Sequence, residues 1–210
     1  MTCRIVNLGL PKSGTTTLGT ALARAGLRVA DHKIRRNQTS DRDLSGSFVG
    51  KQIYAGYFET GDPLAKLDMY DALGEISALK PPASFWPQCD YVILQAMRRA
   101  RPETRFVATR RPTLDIASSM RRWGNLGTQR LPNGTVPGLP HGFGGAPGTL
   151  ERWITGHYAM LNELFAGDSA FLELDVGSET AAQDLGRHLS LDLPWWGKAN
   201  QNTSRPETTI

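Results

Sequence analysis

Cysteine is nearly absent from this chain. Cys3 and Cys89 are the two in 210 residues, too few for a disulfide framework or a cysteine metal set. Long apolar runs are also missing. No stretch reaches the roughly 20 residues that span a bilayer, so no membrane partner is expected. The opening Met1-Thr2-Cys3-Arg4 runs straight into a strand-like pattern without a leader. That implies no secretory signal and a reducing, cytoplasmic setting. Without a leader, the N-x-[ST] matches at Asn37, Asn133 and Asn202 carry no weight. Charge of one sign is not in large excess either, with 24 Lys and Arg against 20 Asp and Glu. Arginine gathers at 98–111 and 121–130, which suits a small anionic ligand. The interleaved aromatics of single-strand binders do not accompany it, so nucleic acid is not expected. No internal repeat is evident, and the length suits one domain over residues 1–210.

What the chain does have is concentrated near its start. An apolar run of Ile5, Val6 and Leu8 leads into Pro11-Lys12-Ser13-Gly14-Thr15-Thr16-Thr17. A helical stripe follows at Leu18, Ala21, Leu22 and Ala25, and Gly26 supplies a stop. A Gly, a Lys and consecutive hydroxyls on a strand-to-helix turn are the parts of a phosphate cradle. Gly14 lets the backbone turn tightly. The helix start offers free N–H groups and the positive end of the dipole. The triphosphate P-loop places its Lys after the second Gly, whereas Lys12 precedes Gly14. An ATP or GTP site of the usual kind is therefore disfavoured.

A second basic block lies further along. Phe106-Val107-Ala108-Thr109 reads as a buried strand ending in Arg110-Arg111-Pro112, and 113–120 reads as a helix. An Arg at a strand's carboxyl end and Ser118 two helical turns on can hold one anion from two sides. Elsewhere the pattern gives strands at 5–10, near 27–30 and at 170–174, and helices at 16–25, 90–100, 150–165 and 178–189, with Tyr91-Val92-Ile93-Leu94 open to strand as well. Residues 51–60 favour helix, and 64–79 read as helix then loop. Residues 124–148 are dense in Gly and Pro, and so long a loop is either functional or an insertion. The alternation implies an α/β fold in three layers, with a mostly parallel sheet and helices on both faces.

Together the two blocks resemble the sulfotransferase superfamily that uses 3′-phosphoadenosine 5′-phosphosulfate (PAPS). Its 5′-phosphosulfate loop typically reads P-K-S-G-T-T, which Pro11 to Thr16 match without change. Its 3′-phosphate motif is typically R-[ND]-P with a Ser six residues past the Pro. Arg110, Pro112 and Ser118 keep that pattern, and Arg111 departs from it. Trp195 to Asn202, with Lys198, is similar to a late segment that returns to the 3′-phosphate. The resemblance implies a P-loop-like nucleotide fold, PAPS as donor, no metal, and a small-molecule or carbohydrate acceptor. Pro11, Lys12, Ser13, Gly14, Thr15, Thr16, Thr17, Arg110, Ser118 and Lys198 would then bind the donor. Lys12 would also neutralise charge developing on the leaving oxygen.

An acceptor needs a base, in this family a His, Glu or Asp between the two motifs. His32, Glu59, Asp62, Asp68, Asp71 and Glu75 occupy that region, and no motif selects among them. His32, after the second strand, and Asp71, from the acidic group 68–75, are the candidates carried forward. Asp71 and Glu75 are spaced one helical turn apart. His157 falls in an apolar helical stripe and reads as a core histidine. Two other functions stay open: a P-loop kinase using ATP and magnesium, and a nucleotide-binding protein without turnover. The sequence is silent on oligomeric state.

Overall fold

Five parallel strands, in the order β2 (Val29–Ala30), β3 (Ala72–Leu73), β1 (Ile5–Asn7), β6 (Arg105–Arg110) and β7 (Phe171–Asp175), form the sheet of the computed structural model, which describes residues 4–199. In chain order the elements are β1 (Ile5–Asn7), α1 (Thr15–Arg24), β2 (Val29–Ala30), α2 (Val49–Thr60), β3 (Ala72–Leu73), β4 (Ala78–Lys80) and β5 (Ala83–Phe85). There follow α3 (Tyr91–Ala100), β6 (Arg105–Arg110), α4 (Thr113–Arg122), α5 (Thr149–Leu164), β7 (Phe171–Asp175) and α6 (Ala181–Leu189). β4 and β5 make a separate antiparallel pair.

Successive strand residues point to opposite faces, and here both faces are apolar. Val6, Phe106 and Ala108 belong to one buried cluster with Ile53, Ile93, Ile116 and Ile154 of α2 to α5. Ile5, Ala72 and Val107 belong to a second cluster with Leu18 and Leu22 of α1 and Ala181 and Leu185 of α6. A parallel sheet covered on both sides needs continuous rather than alternating apolar runs, and β6 has one. The result is an α/β fold with its sheet flanked by helices, compatible with three layers.

Residues 64–79 depart from the sequence reading. They hold a short 3₁₀ turn and then β3, which lies between β2 and β1 in the sheet. A two-residue strand is too short to register as a period, and the neighbouring acidic residues mimic a helical face. Tyr91-Val92-Ile93-Leu94 is helical; the Asp90 carboxylate accepts from the Val92 and Ile93 amides and caps it. The Gly- and Pro-rich segment 124–148 has a π-helical turn at Leu126–Arg130. It also inserts Leu126, Leu131, Val136 and Leu139 into the larger core cluster. It is a packed excursion rather than a free surface loop.

Candidate functional site

All five parallel strands end at one edge, and in such sheets ligands bind outside the carboxyl ends. The loop after β1 occupies the centre of that edge. Lys12 takes a left-handed φ of 71°, and Gly14 a φ of 113° as the residue before α1. A side chain on Gly14 would come within 2.7 Å of Val176, so glycine is required there both by space and by φ. The amides of Gly14, Thr15, Thr16 and Thr17 have no hydrogen-bond partner among the described residues. They are the orphan donors of a helix start, at the positive end of its dipole.

The loop is braced from below. Asn7, fully buried at the end of β1, accepts from the Gly9 amide at 3.0 Å and the Thr109 amide at 3.2 Å. Its own amide donates to the Gly74 carbonyl at 2.7 Å. One side chain thus ties the exits of β1, β3 and β6 together. Ser13 Oγ pairs with Thr109 Oγ1 at 2.7 Å, and Thr15 Oγ1 donates to Glu75 Oε2 at 2.9 Å. Both hydroxyls therefore serve the scaffold, and Thr17 Oγ1 donates to the Gly197 carbonyl. Thr16 is exposed, with its hydroxyl unpartnered among the described residues. His157 donates from Nε2 to the Leu8 carbonyl at 2.9 Å, and its Nδ1 faces Cys89 Sγ at 3.7 Å. Burial lowers its pKa to about 4. The core role read from the apolar stripe is the one the structure gives it.

The charges around the loop are specific. Lys12 Nζ lies 4.9 Å from the centre of the Trp123 ring. Burial lowers its pKa, Arg111 adds to that, and Glu75 opposes it. Arg111 Nη1 donates to the Lys12 carbonyl at 3.4 Å. Arg111, rather than Arg110, is thus the arginine bonded to the loop. Arg110 instead pairs with Glu173 and lies over the Tyr158 ring. Ser118 is half-buried in α4. Lys198 is exposed beside Gly197, through which the tail meets α1, while Asn200, Gln201 and Asn202 lie outside the described residues.

The structure separates the candidate bases. Asp71 precedes β3, at the opposite edge of the sheet from Lys12, and its carboxylate holds Arg28 at 3.0 Å. It is not brought to the cradle. Glu75 follows β3 and is, since Thr15 at the start of α1 donates to its carboxylate. Glu59 is engaged by Lys66, and Asp62 and Asp68 by Arg101. Among the described residues Glu75 alone of these acids lacks an Arg or Lys ion-pair partner. Burial raises its pKa, the Asp31 charge adds to that, and the Thr15 and Ser77 hydroxyls and His32 oppose it. His32 follows β2 at the same edge, with Nδ1 3.7 Å from Asp31. That carboxylate raises its pKa, which favours imidazolium over the free base. Asn7 and Trp123 were not foreseen as site residues. A lone Asn closing an apolar strand was the available signal for Asn7; Trp123 had none. Among the described residues no cluster of His, Cys, Asp and Glu could hold a metal ion, and no helix is long and apolar enough to cross a membrane. No family model matches the chain, and no curated protein matches it.

Proposed function

We propose that this chain transfers a sulfuryl group from PAPS to a hydroxyl or amine of a small-molecule or sugar acceptor, on a P-loop-like fold. The loop carries the reading: Lys12 precedes Gly14 in the order Pro-Lys-Ser-Gly-Thr-Thr, at the mouth of β1, with Glu75 alongside. The residues present fit an anionic donor. Four amides at a helix start are unpartnered among the described residues, and Lys12 and Arg111, the latter 3.7 Å from Asp115, add positive charge.

The donor supplies an electrophilic sulfur and the adenosine 3′,5′-bisphosphate leaving group. The amides of 14–17 and the Thr16 hydroxyl hold its 5′-phosphate. Lys12 neutralises the charge that grows on the oxygen joining sulfur to phosphorus as that bond breaks. Glu75 takes the proton from the acceptor as the acceptor atom bonds to sulfur. Its raised pKa makes it a stronger base than an ordinary carboxylate. Arg110 keeps guanidinium N–H groups beyond the one that meets Glu173, and with Ser118 and Lys198 it is assigned to the 3′-phosphate.

One observation favours a second reading. A loop hydroxyl bonded to a carboxylate, as Thr15 is to Glu75, is also how a P-loop kinase arranges its magnesium ligands. Thermal denaturation separates the two. Stabilisation by adenosine 3′,5′-bisphosphate without magnesium, and transfer of labelled sulfate to a member of an acceptor library, are expected. Stabilisation only by ATP with magnesium would reject the sulfuryl-transfer reading in favour of the kinase. Stabilisation by the bisphosphate without transfer to any acceptor would favour a binding protein.

A further inference from the structure

Trp123 stands at the junction between α4 and the Gly- and Pro-rich segment, with its side of the chain near half exposed at 48%. Two cations use its ring. Lys12 Nζ is 4.9 Å from the ring centre, and the Arg130 guanidinium carbon is 5.2 Å from it. Two like charges on one face of an indole would repel each other at close range. Arg130 is itself held, donating from Nη1 to the Leu79 carbonyl at 2.9 Å and from Nε to Asn125 at 3.1 Å. Behind it the segment is anchored by Leu126 and Leu131 in the core. The start of the segment is equally tight, since a side chain on Gly127 would come within 2.9 Å of the Arg121 amide.

We infer that Trp123 is a positioning residue for Lys12, and that the 124–148 segment acts on the cradle through it. Lysine is a flexible four-carbon stem with a point charge. Its carbonyl is held by Arg111, but among the described residues its ammonium has no ion-pair partner. The indole face supplies what an acid would otherwise supply, a fixed place for the charge. It does so without neutralising the charge, which stays available to an anion. A carboxylate in that place would compete with the anion directly. Arg130, braced by the segment, keeps the ring from turning away.

The kinetic half of the test rests on the sulfuryl-transfer reading; the binding half does not. Trp123→Ala is expected to lower kcat about 10- to 100-fold, as small misplacements of a catalytic group do. The Kd for adenosine 3′,5′-bisphosphate, held by backbone amides, is expected to change less than about threefold. Trp123→Phe keeps a ring face and is expected to recover most of the loss. In a Lys12→Met background, Trp123→Ala is expected to add less than about a twofold effect, because the two act as one unit. Pyrophosphate affinity, measured by calorimetry, follows the same double cycle and needs neither donor nor acceptor. A weakening by Trp123→Ala in the native background that vanishes with Lys12→Met supports the inference. Equal weakening in both backgrounds, or none in either, overturns it, whatever the transfer assays show.

Discussion

Burial holds a proton on Glu75 more tightly in the folded protein than in the unfolded chain. A carboxyl whose folded pKa is raised adds stability at low pH and loses it as pH rises through the folded value. Ionising Glu75 therefore works against folding. Glu75→Gln is expected to lower turnover about 10²- to 10⁴-fold while leaving the melting temperature at pH 7.5 equal or higher. A fall in both together would make Glu75 a structural residue. The neighbouring Lys12 sets the other limit. Its pKa is lowered from 10.5, so its charge is lost earlier on the alkaline side. The pH profile of kcat is expected to rise as Glu75 ionises and to fall as Lys12 deprotonates. Lys12→Ala is expected to cost about 10²- to 10³-fold in turnover, the size of a lost transition-state donor.

At the scale of elements, His157 joins α5 to the end of β1. Its ordinary value of 6.5 falls to about 4 in the fold. The unfolded chain therefore binds the proton first, and stability is lost as pH falls from about 6.5 towards 4. His157→Leu leaves the Leu8 carbonyl without its donor and is expected to cost about 1–3 kcal/mol in urea unfolding at pH 7.5. The same variant should show a flatter dependence of stability between pH 6.5 and 4 than the native chain. Gly9 packs against β6, where a side chain would sit 2.1 Å from Thr109 Oγ1. Gly9→Ala is expected to destabilise by about 1–3 kcal/mol and to weaken anion binding, because Thr109 also holds Ser13. The elements at 5–7, 15–24, 91–100 and 105–122 were legible because each has its own period or cap. β3 was not, since two residues carry no period and its place between β2 and β1 is a long-range fact.

For the whole molecule, the carboxyl edge gathers residues from far apart in sequence: Lys12, Glu75, Arg111 and Trp123. A ligand bound there at about 100 times its Kd adds about 2.7 kcal/mol. For a chain of this size that is a rise of roughly 5–10 °C in Tm. The sequence by itself determined the strand-to-helix loop at 11–16, because Lys, Gly and hydroxyls at fixed offsets are local chemistry. It also determined the alternation that makes an α/β sheet. Only the tertiary structure decided which acid stands by the cradle. Asp71 and Glu75 are equivalent on a helical wheel, but a strand sends them to opposite edges of the sheet, one to Arg28 and one to Thr15. It also decided that Arg111 rather than Arg110 touches the loop, and that the Gly- and Pro-rich segment meets Lys12 through Trp123. Pairings across such distances depend on the packing of strands and helices, which no local spacing encodes.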